Sequence, residues 1–298
     1  MKFLSKHSFV RFFFIITTIC FFPSCTYAQG PWVQKKNTGF VQLQTTLLVQ
    51  GTYDGLILKE ISLARTETNI NREVVNSDVG IYAIYGLTDK LTLFTQLPFK
   101  YVATKEQTDS LYHPNLLEQG SLFGLSNYRL GIKYGLLDKN LKIAASLQTS
   151  WNTAKKELEN GLSTGYLSNS FGLFGHVGGS LSPRWYSFLD LGYNVSTDDY
   201  SDFINANFEL GFKAATTQSL WIVLNINIRE SVENGAFLNE NLIQTGLYPN
   251  DQEWNGYGIK FLYELKNQIG FTLGTAGAFS ANYVGFAGPI TLGIFKKW

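Results

Sequence analysis

The chain has 298 residues, with 24 Lys and Arg against 23 Asp and Glu, a formal net charge of +1 and 45% hydrophobic residues. Near-neutrality gives no electrostatic footprint for a nucleic-acid partner, and the length suits one large domain or two ordinary ones. Gly at 28 residues, aromatics at 15% and a single Met suit many strands and turns better than helices.

Lys2, Lys6 and Arg11 precede the apolar run FFFIITTICFF, and Thr26-Tyr27-Ala28 closes it with a small residue. This is the pattern of a secretory signal peptide over residues 1–28, with cleavage expected after Ala28. The run is short and broken at Pro23, which argues against a membrane anchor. A lipoprotein signal ending at Cys25 is the other alternative, and Phe22-Pro23-Ser24 fits that box poorly. Both cysteines, Cys20 and Cys25, lie in the leader. A chain cut after Ala28 has no disulfide, no thiolate metal site and no cysteine nucleophile. No later stretch reaches the ~18 apolar residues of a membrane helix.

From residue 39 onward apolar and polar residues alternate, so side chains point to two faces with a period of two. Twelve strands are expected, at 39–50, 73–86, 90–103, 122–136, 140–152, 165–181, 185–196, 202–215, 219–230, 253–265, 268–280 and 286–298. Many run past ten residues, whereas strands of soluble proteins are commonly ~5–6 and a tilted membrane-crossing strand needs ~9–11. Tight turns at Leu87–Asp89, Leu137–Lys139, Ser182–Arg184, Thr216–Gln218 and Lys266–Asn267 alternate with the other connections. Three of those others are long: Gly51–Arg72, Thr104–Ser121 and Ser231–Gln252. Sorting of turns to one end and loops to the other predicts an all-β chain, one closed antiparallel transmembrane barrel over 29–298, with periplasmic turns. Such a barrel sits in outer-membrane lipid and needs the barrel-assembly machinery for insertion. The segment Gln29–Thr38 is too short for a plug domain but long enough to tuck into the periplasmic mouth.

Taken in chain order, the second strand turns Asp78, Gly80 and Tyr82 inward and the third Phe94, Gln96 and Pro98. Pro98 cannot donate to a ladder, so a bulge or a rim position is expected there, and a bulge would shift the phase of the rest of that strand. Arg129 and Lys133 follow on the fourth strand, and Ser146 and Gln148 on the fifth. The sixth and seventh give Phe174, His176, Phe188 and Asp190. Glu209, Lys213, Trp221 and Arg229 line the eighth and ninth, and Trp254 and Lys260 the tenth. Leu210, Ile222, Leu224 and Ile226 face lipid. Ile290, Leu292, Ile294 and Trp298 end the chain in one phase, but Lys296 shares their lipid-facing side. The lumen is therefore mixed, with charges of both signs beside aromatics. The plain alternative is that these groups fill a narrow barrel and satisfy one another.

No phosphate-binding Gly-rich loop appears. His113 and His176 are the only histidines after the leader, so no metal cluster or cofactor is expected. FGHVGGS lacks the His-x-Ser spacing of outer-membrane phospholipases, so no catalytic residue is assigned. A lipid-modifying barrel enzyme is the least favoured alternative. A hairpin centred on Pro183 sets His176 opposite Asp190, where a carboxylate favours the charged imidazolium.

The segment GLTDKLTLFTQLPFK (Gly86 to Lys100) resembles the MetA-pathway phenol-degradation family of outer-membrane proteins, in which a turn leads into an alternating strand ending at Pro. GLSNYRLGIKYGLL (Gly124 to Leu137) resembles that family's next strand, with Ser126-Asn127 where Gly-Asp is usual. The resemblance spans about thirty residues and implies a barrel passing small hydrophobic or aromatic solutes. The expected function is a small-molecule channel. The alternative is a structural or adhesive barrel with a plugged lumen and partner-binding loops.

Overall fold

A computed structural model describes residues 30–48, 52–53, 56–57, 67–68, 72–105, 117–215, 219–285 and 288–298. The expected signal peptide, the Thr216–Gln218 turn, His113 and most of the loops after the first and third strands lie outside the described residues.

Twelve strands close into one antiparallel barrel. They run Gly39–Leu48, Arg72–Gly86, Leu91–Thr104, a fourth in two pieces (Gly120–Leu125 and Tyr128–Asp138), Lys142–Trp151, Ser170–Ser182, Trp185–Ser196, Phe203–Lys213, Ser219–Ser231, Glu253–Glu264, Ile269–Asn282 and Pro289–Lys297. Each pairs with the next in sequence, and the twelfth pairs back to the first from Phe40↔Lys297 to Leu48↔Pro289. Closure leaves no free edge, which is what a sheet needs where no water can satisfy its backbone.

Exposure is inverted relative to a soluble protein. On the seventh strand Leu189, Leu191 and Tyr193 are 45%, 57% and 42% exposed, whereas Phe188, Asp190 and Asn194 are 3%, 2% and 2%. Apolar groups out and polar groups in is the arrangement of a barrel in lipid. Leu224 and Ile226 face outward as expected. Exposed aromatics sit toward both strand ends: Tyr85, Tyr134 and Trp185 near the turns, and Tyr101, Phe123 and Tyr193 near the loops. Lys296 is exposed beside them and its Nζ donates to the Asn267 carbonyl in the last turn at 2.6 Å. A short reach of that kind keeps the ammonium at the interface.

Three expectations are corrected. Pro98 causes no phase shift: the third strand keeps one register with the second, Gly80↔Pro98 included. The break falls in the fourth strand instead. The third strand pairs with Tyr128–Asp138 up to Gln96 and with Gly120–Leu125 from Phe99 onward, and the Ser126 N–H donates to the Pro98 carbonyl. The missing N–H of Pro98 thus faces the one place where the partner is interrupted. Finally, the sixth strand starts at Ser170, not 165. Residues before it belong to a loop held by the Asn127 side chain, whose Oδ1 accepts from the Tyr166 N–H and whose Nδ2 donates to the Tyr166 carbonyl, both at 2.7 Å.

Candidate functional site

The lumen wall carries a row of polar side chains across neighbouring strands. His176 is paired with Asp190, as the hairpin centre predicts, even though a bulge shifts the register nearer the turn. His176 Nδ1 and Asp190 Oδ1 are 2.7 Å apart, and Nε2 lies 2.8 Å from the Ser146 hydroxyl. Asp190 in turn opposes Asn207, Asn207 opposes Asn227, and the Trp254 indole N–H donates to Asn227 Oδ1 at 3.0 Å. Ser146, His176 and Asp190 have the connectivity of a nucleophile–base–carboxylate relay. Ser146 nevertheless sits mid-strand, paired on both sides with Lys133 and Phe174. Its neighbouring amides are spent in ladders and offer no oxyanion hole. The relay instead orders the wall.

Charged groups on the inward face are mostly paired. Asp78 opposes Lys100, whose Nζ reaches Asn76 Oδ1 at 3.1 Å. Glu209 accepts from the Tyr186 hydroxyl at 2.7 Å and meets Lys260 at 3.4 Å. Glu264 meets Lys297 at 2.5 Å. Glu209 is therefore not grouped with Lys213 and Arg229, although all three line the same two strands. Lys133 donates to the Gly30 carbonyl at 2.7 Å. Among the described residues the side chains of Lys213 and Arg129 make no hydrogen bond or ion pair.

Inward aromatics lie flat along the wall. Phe94 covers its directly opposed Gly131, Phe174 covers Gly192, Tyr186 covers Gly211 and Phe295 covers Gly270, and a Cβ at any of these glycines would overlap the ring. Phe174 also stacks on His176, with centroids 6.4 Å apart. The Trp221 ring is tilted against Tyr186 at 5.3 Å. Phe188 meets Trp32 edge-on at 5.7 Å, as does Tyr186 at 5.6 Å.

Trp32 belongs to the segment before the first strand, which enters the turn-end mouth. The Gln34 N–H donates to Thr92 Oγ1 at 2.8 Å and the Lys36 N–H to Asp89 Oδ1 at 3.0 Å. At the other end two loops fold inward rather than standing free. Residues 152–169 carry a short ladder, Lys156–Glu157 with Leu162–Ser163. Residues 232–252 carry the helix Glu240–Thr245, capped by Asn239 Oδ1 on the Leu242 N–H. The loops are joined by Thr245 Oγ1 to the Gly161 carbonyl at 2.6 Å and by Asn241 Nδ2 to the Leu158 carbonyl at 2.9 Å. Leu162 and Leu247 pack on Val74 and Val102 of the wall, and Leu242 packs on Leu167 and Tyr200.

Arg229 meets this cover. Its guanidinium lies over the rings of Phe203, Tyr166 and Trp254, 3.6, 4.7 and 5.4 Å from their centroids, and its Nε donates to the Gln252 carbonyl at 3.2 Å. The Tyr166 hydroxyl donates to Gln252 Oε1 at 2.7 Å. Lys100 sits 4.9 Å from the Tyr248 ring. Burial drives the Tyr166 and Tyr248 hydroxyls above the usual phenol range, against the pull of these cations.

Sequence reading places every candidate side chain on the wall but misses Tyr166, Gln252 and Trp32. They reach the lumen from loops and a terminus, where alternation gives no signal. Ser146 is read as inward but not as the neighbour of His176, because that contact depends on register across a folded loop.

No protein-family model matches the chain, and no curated protein matches it. Among solved structures it is similar to the COG4313 outer membrane channel from Pseudomonas putida F1, with 14% identity, a TM-score of 0.61, and coverage of 92% of this chain and 100% of that one. The NanC porin is similar at 5% identity and a TM-score of 0.51, over 87% of this chain and 100% of that one. The KdgM porin in complex with disordered oligogalacturonate is similar at 5% identity and a TM-score of 0.50, over 87% and 99%. At these identities the likeness establishes the fold, a closed barrel of outer-membrane type.

Proposed function

We propose that the chain is a passive outer-membrane channel for small molecules, entered past the loop-end cover and left past the N-terminal segment. The carrying observation is the closed barrel whose outer face is apolar and whose inner face holds buried Asp, Glu, His and Lys. Likeness in fold to a channel and to porins supports the reading. So does the resemblance of Gly86–Lys100 and Gly124–Leu137 to the MetA-pathway phenol-degradation family, which favours hydrophobic or aromatic solutes. Inward aromatics on the wall, Phe94 and Phe174 among them, are compatible with such solutes. Outer-membrane lipid surrounds the barrel, and the assembly machinery inserts it after export through the leader.

Liposome swelling tests this. Vesicles holding the barrel are expected to swell faster in phenolic solutes than in sugars, after subtraction of protein-free controls. Equal rates with and without protein for both solute classes would reject a channel. A second reading, a structural barrel with a plugged lumen, is favoured by the segments folded into both mouths, and it predicts that same equality.

A further inference from the structure

We propose that the lumen selects anions, and that Arg129 and Arg229 hold a small anion between them. The proposal deepens the channel reading and rests on it for transport, though not for binding. Each carboxylate of the inward face has a basic partner, whereas these two guanidiniums have no acidic one among the described residues. Lys213, nearer the turn end, adds a third such cation. The fixed charge of the described inward face is positive, so mobile anions gather along it and mobile cations are excluded.

The two arginines act on the same space. Arg129 pairs across to Ser150, near the loop end of the fifth strand, and Arg229 to Trp254, near the loop end of the tenth. Tyr166 links the two sites: Asn127, two residues from Arg129, holds its backbone, and its ring lies against the Arg229 guanidinium. Like charges on one stretch of a lumen repel, and an anion between them removes that repulsion.

The surroundings of Arg229 leave it able to bind such an ion. Aromatic faces stabilise the cation through the ring quadrupole, but they take none of its in-plane N–H groups. Among the described residues only Nε is engaged, with the Gln252 carbonyl. The remaining fork suits a carboxylate or a halide. A carboxylate attached to an aromatic ring would satisfy both this fork and the aromatic wall.

Reversal potentials in planar bilayers under a KCl gradient test the proposal. The wild-type barrel is expected to favour chloride over potassium by at least about threefold. Arg129→Gln with Arg229→Gln is expected to bring the ratio near one, and Arg229→Lys to keep it above one. Preference for potassium, no preference, or an unchanged ratio in the double variant would overturn the proposal. If no current passes at all, the channel reading fails, and binding is decided separately by tryptophan fluorescence in detergent. Trp254 lies beside Arg229, so iodide is expected to quench more strongly than caesium, and the excess to vanish in the double variant. Equal quenching by the two ions, or an excess that survives in the double variant, overturns the anion site.

Discussion

Asp190 is opposed by His176 on one side and by Asn207 on the other, with its Oδ1 on the imidazole and its side chain only 3% exposed. Removing one member of such a buried pair strands the other. Asp190→Ala is expected to lower the unfolding free energy by about 3 kcal/mol, read from urea titration of the barrel refolded into vesicles. Asp190→Asn keeps an acceptor for Nδ1 and is expected to cost only about 1 kcal/mol. Matching losses for the two variants would mean that the carboxylate oxygen is not what holds His176. This contact was legible because two facts suffice for it, a strict two-residue period and a turn centred on Pro183. The Arg229 cage was not. Two of its three rings come from strand ends or strands, but Tyr166 arrives from a loop whose path is set by Asn127, and no periodicity carries that information.

At the scale of strands, the wall is built by fitting rings into gaps left by opposed glycines. Phe174 lies on Gly192 because nothing there rises above the backbone. Gly192→Val would drive the ring off the wall into the bore. The expected result is a barrel that still folds but whose solute flux falls several-fold, with Phe174→Ala in the same chain restoring it. Flux that stays low in the double variant would place the obstruction elsewhere. The outer face obeys a different constraint. Leu224 opposes Leu210 and is half exposed to lipid, so Leu224→Arg is expected to cost ~2–4 kcal/mol in the same urea titration, and an unchanged midpoint would contradict the assigned face. Strand existence was readable for all twelve strands, and facing for the ten whose inward or lipid-facing residues were assigned, because the lipid and lumen sides demand opposite chemistry. What alternation concealed was the break at Ser126-Asn127: the upper piece turns even-numbered residues inward (Gly124 opposite Lys100) and the lower piece odd-numbered ones (Gly131 opposite Phe94), a phase change hidden because 122–125 are apolar or Gly on both faces.

For the whole molecule, the question is how a barrel with chain folded into both mouths conducts. The turn-end segment is held by a few directional contacts: Lys133 to Gly30, Thr92 to Gln34, and Trp32 against Tyr186 and Phe188. The loop-end cover is a larger unit, since its two loops share an apolar cluster and bond to each other through Thr245 and Asn241. Few contacts imply frequent opening, and a cooperative unit implies rarer, larger openings. Trp32→Ala removes the ring that packs on Tyr186 and Phe188 at the mouth, so it is expected to raise single-channel conductance without changing how often the channel closes. The cover is expected to govern closing. The sequence has only Cys20 and Cys25, both in the predicted leader, so introduced thiols can be addressed alone. Lys100→Cys with Tyr248→Cys, where the native ammonium stands 4.9 Å from the ring, joined by a short bifunctional thiol reagent, is expected to hold the cover on the wall and abolish current. A cleavable reagent should restore current on reduction, and each single variant should be insensitive. Current that persists in the crosslinked barrel would show that solute bypasses the cover, leaving the N-terminal segment as the one barrier to passage.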